Sequence, residues 1–457
     1  MDMDDLAWQA SNYRGLSPRT VRLLLAHGHL NLVAQVAVDR DEWFCAEGAV
    51  EKLCQARDFG RALSVMEPFV VTGWRAALYA KAEILLRAGR RTEEALDLVR
   101  PDDSGRASTT ECRDLAVVLG KAGRIDEAIE LLVPHLDKSW LLSVLVNITD
   151  GQGRDERVLE LIAPLADHAR QARRQEHRDY AFSDAQELAR VLERAGRADE
   201  AIRILAQDIA GRRFLAQNTL VAYAELLARH GRLEELRELV GSQDPHTVLD
   251  AYAGALRRHG RVGEAEAVMR DAIASDDWVG YRAWLSSMLL AEGRLDDAIV
   301  VAEPGFSWYD CSNLLAPLVQ PLLDRPEELL CLVEHPRVVP HHGHEEFQHW
   351  WRAWALAGLG RVDEAIAVAA LDRPWTDPRI VKADLLRRAG RLDDAADQLR
   401  AMGTIKAREE LCEILVLQGR ADQAIAVHPT VAEQRAAEPK PKPVPLGENG
   451  YSLEPPI

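Results

Sequence analysis

The chain has 457 residues, a formal net charge of −17 at pH 7, a hydrophobic fraction of 47% and few aromatic residues, 6%. So strong a negative charge disfavours nucleic acid or an anionic membrane as partner, because their phosphate groups would be repelled. No apolar run is long enough to span a bilayer, which excludes a predicted transmembrane helix.

The first segment, residues 1–16, contains no basic region followed by an apolar run, so it does not resemble a secretory signal peptide. We expect it to form a short capping segment, with Trp8 and Tyr13 packed on the first repeat. Ser17 followed by Pro18 predicts a helix start, since serine caps free N–H groups and proline fits the first turn. The six cysteines are scattered without a C-x-x-C pair, which favours a reduced, cytoplasmic protein.

A short pattern recurs through residues 17–303 and again through 350–430. Its clearest copy is KAGRIDEAIELL at 121–132, where Gly-Arg separates two stretches with apolar residues at helical spacing. The glycine predicts left-handed backbone at a helix end, and the acidic pair after it favours the start of the next helix. Most of these glycines are 29 to 35 residues apart, the length of one helix pair. They are Gly89, Gly123, Gly153, Gly196, Gly231, Gly260, Gly293, Gly360, Gly390 and Gly419.

Small residues stand at constant distances from these turn glycines, with alanine five residues after and a small residue seven before. Two small residues on facing helices allow the helices to approach closely, so we predict an all-α fold of stacked antiparallel helix pairs. The alanines after the turn are Ala128, Ala201, Ala265, Ala298, Ala365, Ala395 and Ala424. The small residues before it are Ala82, Ala116, Ala189, Ala224, Ala253, Ser286, Ala353, Ala383 and Cys412.

The period near 34 residues, the small residues and G-x-x-x-E-A-I across the turn resemble the tetratricopeptide repeat (TPR) family. The resemblance covers roughly residues 15–430 as a degenerate array of about thirteen helix pairs, in which Leu and Val mostly replace the usual aromatic residues. It implies a right-handed α-solenoid, a TPR-like superhelix without a cofactor. It also implies a scaffold or adaptor that binds a protein or peptide in the groove along its first helices.

Residues 304–349 depart from the pattern and are predicted to form an irregular repeat segment with a loop rich in histidine and proline. His344-Glu345 is similar to the zinc motif H-E-x-x-H, but His349 comes one residue too late to share a helix face with His344. The candidate metal ligands would be His341, His342, Glu345 and His349. We favour a polar loop with exposed or capping histidines, and therefore predict no metal, no cofactor and no enzymatic activity.

A basic residue stands two positions before the turn glycine in six copies: Arg87, Lys121, Arg194, Arg229, Arg258 and Arg388. If the first helices line the groove, these cations form a ladder for the carboxylates of an acidic peptide. Alternatively, they stabilise helix C-termini and pair with neighbouring acids, which is the interpretation we favour. Trp350 and Trp354 share a helix face and would anchor a peptide if exposed, while packing over residues 304–349 is equally consistent with the sequence.

An arginine directly follows each turn glycine, and we predict that it pairs with an acid of the same or the next repeat. After residue 430 the helical pattern ends, and residues 431–457, with six prolines, are predicted to be a disordered tail.

The favoured function is a non-enzymatic scaffold for a protein or peptide, including one with acidic groups or a regulatory partner. One alternative is an RNA-binding solenoid, because A-G-R-x-[DE]-E-A also resembles pentatricopeptide repeats, although the acidity disfavours it. The other is a metal-dependent hydrolase with its site at 341–349.

Overall fold

The computed structural model describes residues 2–89, 91–100, 108–176, 184–211, 217–242, 244–307, 312–338, 345–370 and 377–438. All regular structure in these ranges is helical, and successive helices pair across short turns. The predicted all-α solenoid class of stacked helix pairs is therefore confirmed. The described residues fall into two compact units, drawn from Met1–Ala88, Asp377–Arg387 and Arg391–Ile457 in the first and from Gly89–Thr376 and Arg388–Gly390 in the second.

The first unit combines helices from both ends of the chain. Those from the N-terminal side are α1 (Met3–Asn12), α2 (Pro18–Ala26), α3 (Leu30–Asp39), α4 (Trp43–Gln55), α5 (Phe59–Val70) and α6 (Arg75–Arg87). Those from the C-terminal side are α24 (Pro378–Arg388, its last residue in the second unit), α25 (Leu392–Arg400), α26 (Ile405–Leu417), α27 (Ala421–Val427) and α28 (Val431–Ala437). Ser17 caps α2 as predicted, and Pro18 occupies its first turn.

The second unit holds the helices between these two groups. Its first part contains α7 (Thr92–Val99), α8 (Thr109–Lys121), α9 (Ile125–Leu132), α10 (Ser139–Ile148), α11 (Asp155–Glu176), α12 (Asp184–Arg194), α13 (Ala198–Ala210), α14 (Gln217–Arg229) and α15 (Leu233–Ser242). Its second part contains α16 (Pro245–Arg258), α17 (Val262–Ser275), α18 (Val279–Ala291), α19 (Leu295–Ala302), α20 (Ser312–Val319), α21 (Pro326–Val333), α22 (Glu345–Gly358) and α23 (Val362–Ala369). Short 3-10 turns occupy Val133–His135, Glu303–Ser307 and Gln320–Leu322.

Each predicted turn glycine has left-handed backbone, with φ from 66° at Gly231 to 77° at Gly123. The second helix of a pair begins two residues after the glycine, as at Ile125 after Gly123, except after Gly89, where it begins three residues later at Thr92. The small residues predicted at the helix contacts are all buried; Ala128 and Ala116, for example, are both fully inaccessible. Pairing across the turns therefore rests on close approach of the two backbones.

In seven repeats the arginine after the turn pairs with an acid three residues later on its own helix, as Arg261 does with Glu264 and Arg361 with Glu364. Arg154 and Arg420 have no acid at that position. Several of these arginines also reach an acid of the preceding repeat, not the next one as expected from sequence. These pairs are Arg124–Glu93, Arg154–Asp126, Arg197–Glu156, Arg232–Asp199 and Arg294–Glu266. The arginines that follow the turn glycines thus join consecutive repeats.

The first and last helices pack on each other within the first unit. The buried side chain of Gln434 accepts from the Gly15 N–H at 2.7 Å and donates to the Gly15 carbonyl at 3.3 Å. Trp8 Nε1 donates to Glu438 at 3.1 Å, and Arg435 of α28 pairs with Asp5 of α1. The N-terminal capping segment therefore packs on the C-terminal helices as well as on α4.

The predicted start of a disordered tail at residue 431 is wrong, because Thr430 caps a further helix, α28, through a capping box with Glu433. This helix could not be predicted from the sequence because it has too few apolar residues to show a helical period. The remaining tail, residues 439–457, lies outside the described residues. None of the helices in the described ranges combines the length and the apolar character needed to cross a bilayer.

Candidate functional site

A concave groove of about 490 Å³ lies in the second unit, mainly on the first helices of three consecutive pairs, α10, α12 and α14, with one residue from α13. We call it the α12 groove. Its apolar floor includes Val146, Ala189, Leu205 and Leu226, and Ala222 lies on one wall. Charged residues line the remainder: Asp150, Glu187, Arg190, Glu193, Arg194, Glu225 and Arg229. Two of the six predicted ladder residues, Arg194 and Arg229, therefore share one site.

Arg194 is held inside the wall of the groove, with its side chain only 15% exposed. Its guanidinium donates to Asp155 Oδ1 at 2.6 Å, to the Val146 carbonyl at 2.5 Å and to Thr149 Oγ1 at 2.8 Å. Since these bonds join α12 to the end of α10 and the start of α11, Arg194 has a structural role whether or not a ligand binds.

Arg229 lies further out and forms a two-bond pair with Glu193, at 2.9 and 2.8 Å. His230 Nε2 also lies 3.0 Å from Glu193. The hydrogen bond from Arg229 is the main cause that lowers the pKa of Glu193, so this carboxylate is charged at neutral pH. The pair links α14 to α12 across the groove.

Arg190 is half exposed and donates to Glu187 and to Asn147, both at 2.8 Å. Glu187 also accepts from Ser143 at 2.5 Å, which ties α12 to α10. The most exposed charges of the groove are two acids, Asp150 (74%) and Glu225 (59%), each at the edge of an arginine pair. With four acids and three arginines, the lining has a net charge of −1.

The other predicted ladder residues lie outside the α12 groove. Arg87, in the first unit, pairs with Glu51 at 2.8 Å. Lys121, at the end of α8, has its pKa lowered by partial burial. Arg258 is exposed, and its side chain makes no hydrogen bond or ion pair with any residue that the structure describes.

Arg388 lies over the ring of Trp354 at 4.3 Å from the ring centroid, a cation–π contact between two predicted site residues. Trp350 and Trp354 are both partly exposed, whereas Trp351 between them is buried. The role of the tryptophan pair in anchoring a peptide stays a prediction.

Of the candidate metal ligands, His341, His342 and the side chain of Glu345 lie outside the described residues. His349 lies on α22 and is partly exposed. Among the residues that are described, no three His, Cys, Asp or Glu side chains are grouped so as to hold a metal ion.

Sequence reasoning missed the acids of the α12 groove. Glu193 directly precedes Arg194, and Glu187 and Arg190 lie on the same helix, so their helical spacing was available as a signal. What the sequence did not provide was the pairing between helices, because Glu193 meets Arg229 across 36 residues.

Residues 348–370 and 377–401 match the family model described as tetratricopeptide repeat. The suspected tetratricopeptide repeat is therefore confirmed for these two stretches, which contain most of α22 and all of α23, α24 and α25. A comparison with curated proteins gives no match.

Solved structures of helical repeat proteins are similar to the chain at low identity. One is Naa15/Naa10 bound to HypK-THB, 15% identical over 83% of this chain and 66% of that one, with a TM-score of 0.35. Another is the pentatricopeptide repeat protein PPR10 of maize in complex with an 18-nt psaJ RNA element. It is 16% identical over 92% of this chain and 64% of that one, with a TM-score of 0.37. A third is the APC/C hetero-tetramer Cut9–Hcn1, 13% identical over 92% of this chain and 95% of that one, with a TM-score of 0.23. The chain spans about two thirds of the first two, and with TM-scores this low none carries an argument about function.

Proposed function

We propose that the protein is a non-enzymatic scaffold that binds a segment of a partner protein in the α12 groove. The observation that carries this proposal is the concave space of about 490 Å³ between three first helices, with an apolar floor and a charged rim. Its volume suits a few side chains of a docked segment, and fixed polar groups around an apolar floor are the usual basis of specificity in such sites.

The charges of the rim favour a segment that carries both signs over a purely acidic one. All three arginines of the groove already pair with acids of the chain, so an acidic peptide would have to displace Glu193 from Arg229 or Glu187 from Arg190. The exposed carboxylates of Asp150 and Glu225 are available to a lysine or arginine of the partner. The same excess of acid disfavours RNA, whose backbone would meet a net negative lining.

Site-specific photocrosslinking in the native host tests the proposal. A photoreactive amino acid at Ala222, on the groove wall, is expected to yield discrete covalent adducts with a partner protein. The matched position is Arg203, an exposed residue of α13 outside the groove, where the same adducts should be missing. A second protein with Asp150→Lys and Glu225→Lys, both highly exposed, should fold normally and lose the adducts at Ala222.

Two results would contradict the proposal. Equal adducts from Ala222 and Arg203 would mean that capture does not depend on the groove. Adducts at Ala222 that contain RNA would mean that the groove binds a nucleic acid and not a protein segment. Affinity capture on the wild type and on the double variant, compared by mass spectrometry, identifies the protein concerned.

A further inference from the structure

A second cleft, of about 550 Å³, lies in the first unit where the two ends of the chain meet. We call it the terminal cleft. It is bounded by α1, by the turn between α3 and α4, and by α28 with the residue that caps it, Thr430. The polar side chains that line it include Asp5, Arg40, Asp41, Thr430 and Arg435.

Arg40 is the one cation in this lining whose side chain makes no hydrogen bond or ion pair with any described residue. Its Nη1 is buried without a hydrogen-bond partner. By contrast, Arg435 pairs with Asp5 and lies over the ring of Trp8. A guanidinium that is partly removed from water and unpaired is costly, and a bound anion would relieve this cost.

The buried titratable groups beside Arg40 form no hydrogen bond or ion pair with its side chain. Glu42 is 1% exposed, and burial raises its pKa to about 7, so below that pH it is mostly protonated. Glu42 interacts electrostatically with four charged or titratable groups, which are Arg40, Asp41, Cys45 and Cys412. Glu42 Oε1 is likewise buried without a hydrogen-bond partner.

His428, which follows α27, carries no negative charge at any pH and so offers Arg40 no ion pair. It is 2% exposed, and burial lowers its pKa to about 4, with Arg40 as a further cause, so the ring is neutral at pH 7. Its Nδ1 is buried and has no hydrogen-bond partner among the described residues. Three polar atoms, from Arg40, Glu42 and His428, therefore lack partners in this part of the first unit.

We propose that the terminal cleft binds a small organic acid whose carboxylate pairs with the guanidinium of Arg40. A carboxylate matches the planar fork of donors on arginine and forms strong charge-assisted bonds. The acids Asp5 and Asp41 on the rim disfavour a doubly charged phosphate over a singly charged carboxylate. The volume lies in the range of small-molecule sites.

Such a ligand would contact both ends of the chain, Arg40 from the N-terminal side and Thr430 or Val431 from the C-terminal side. A ligand that needs both sides binds only the folded first unit. It must therefore raise the thermal stability of the protein in a saturable way.

Thermal unfolding of the full chain at constant ionic strength tests the proposal, with chloride replaced stepwise by acetate, butyrate or inorganic phosphate. We expect a saturable rise in melting temperature with at least one of the two carboxylates. In Arg40→Gln the half-saturating concentration should rise about tenfold or more. In the matched control Arg57→Gln, an exposed arginine of the same unit, it should stay unchanged.

Ala432→Trp provides a second test, which separates loss of binding from any change that Arg40→Gln causes in the junction. Ala432 lines the cleft from the exposed face of α28, so a large side chain there fills the space and leaves Arg40 intact. We expect loss of the saturable shift in this variant. The proposal is overturned if no carboxylate gives a saturable shift, if phosphate alone does, or if Arg40→Gln or Ala432→Trp responds like wild type.

Discussion

The guanidinium of Arg294 lies 2.8 Å from the carboxylate of Glu266, a residue of the preceding repeat. Arg294 also donates to Asp297 on its own helix at 2.8 Å, and Arg270 donates to Glu266 at 2.7 Å. These hydrogen bonds, with that of Arg294 the largest cause, lower the pKa of Glu266 to about 2. The arginine that follows the turn thus contacts both the start of its own helix and the preceding helix pair.

Arg294→Gln should lower the melting temperature slightly, because it removes a charged link between two repeats at a partly exposed site. The difference from wild type should shrink in high salt, which screens the pair. The lowered pKa of Glu266 means that its contribution is present above about pH 4.5 and is lost as pH falls towards about 2. Unfolding curves at several pH values and salt concentrations check this; a difference that persists at pH 2 would contradict it.

Two buried groups of the first unit have pKa values shifted in opposite directions, chiefly by burial: Glu42 from 4.5 to about 7 and His428 from 6.5 to about 4. Native Glu42 keeps its proton after the unfolded chain has released it, so its contribution to stability falls as pH rises from about 4.5 to about 7. Native His428 stays neutral while the unfolded chain takes up a proton, so its contribution falls as pH drops from about 6.5 to about 4. Between about pH 4.5 and 6.5 the two slopes nearly cancel.

Single variants should reveal the two slopes. Relative to wild type, the free energy of unfolding of Glu42→Gln should increase by about 3 kcal/mol as pH rises from about 4.5 to about 7. That of His428→Gln should decrease by about 3 kcal/mol as pH rises from about 4 to about 6.5. Urea unfolding across this range measures both. Two flat difference curves would mean that neither group is shifted as described.

Gly15→Ala should destabilise the protein far more than Gly28→Ala. Both glycines have left-handed backbone, with φ of 79° and 83°, so alanine is strained at either position. At Gly28 the added carbon meets nothing within 4 Å, whereas at Gly15 it would overlap the carboxylate of Glu42. We expect losses of about 1 kcal/mol for Gly28→Ala and about 3 kcal/mol or more for Gly15→Ala. Equal losses by chemical denaturation would show that the contact with Glu42 yields without cost.

The predicted cation ladder contains both buried and exposed residues, and the stabilities of Arg194→Ala and Arg258→Ala should differ accordingly. Arg194 makes three side-chain hydrogen bonds and is mostly buried, so its loss should cost about 2–3 kcal/mol. Arg258 is exposed, and its removal should change stability by less than about 0.5 kcal/mol. Denaturant midpoints for the two variants measure the contrast. A stable Arg194→Ala protein would refute the structural role.

The repeated features of the fold were predictable because each appears many times. The turn glycine, the buried alanines and the arginine after the turn recur at fixed offsets, so one helix-pair geometry accounts for all copies. The arginine partners were only half predictable. An acid three residues later is fixed by helix geometry, but the acid of the preceding repeat depends on how two pairs pack.

The two sites were less predictable. Arg194 and Arg258 occupy the same position of the repeat, yet one is buried among three acceptors and the other is exposed. Their surroundings depend on neighbouring helices, which the repeat pattern does not describe. The contact between Gly15 and Gln434 had no sequence signal, because each residue occurs once and they are 419 positions apart.

That separation sets the order of events during synthesis. A ribosome adding roughly 5–20 residues per second needs about 20–80 s to extend the chain from Gly15 to Gln434. During this interval the Gly15 N–H lacks its glutamine acceptor, and Asp5 and Trp8 lack their partners on α28 and at Glu438. The N-terminal helices therefore emerge with this face uncovered, and the first unit is completed only once residues 434–438 have been translated.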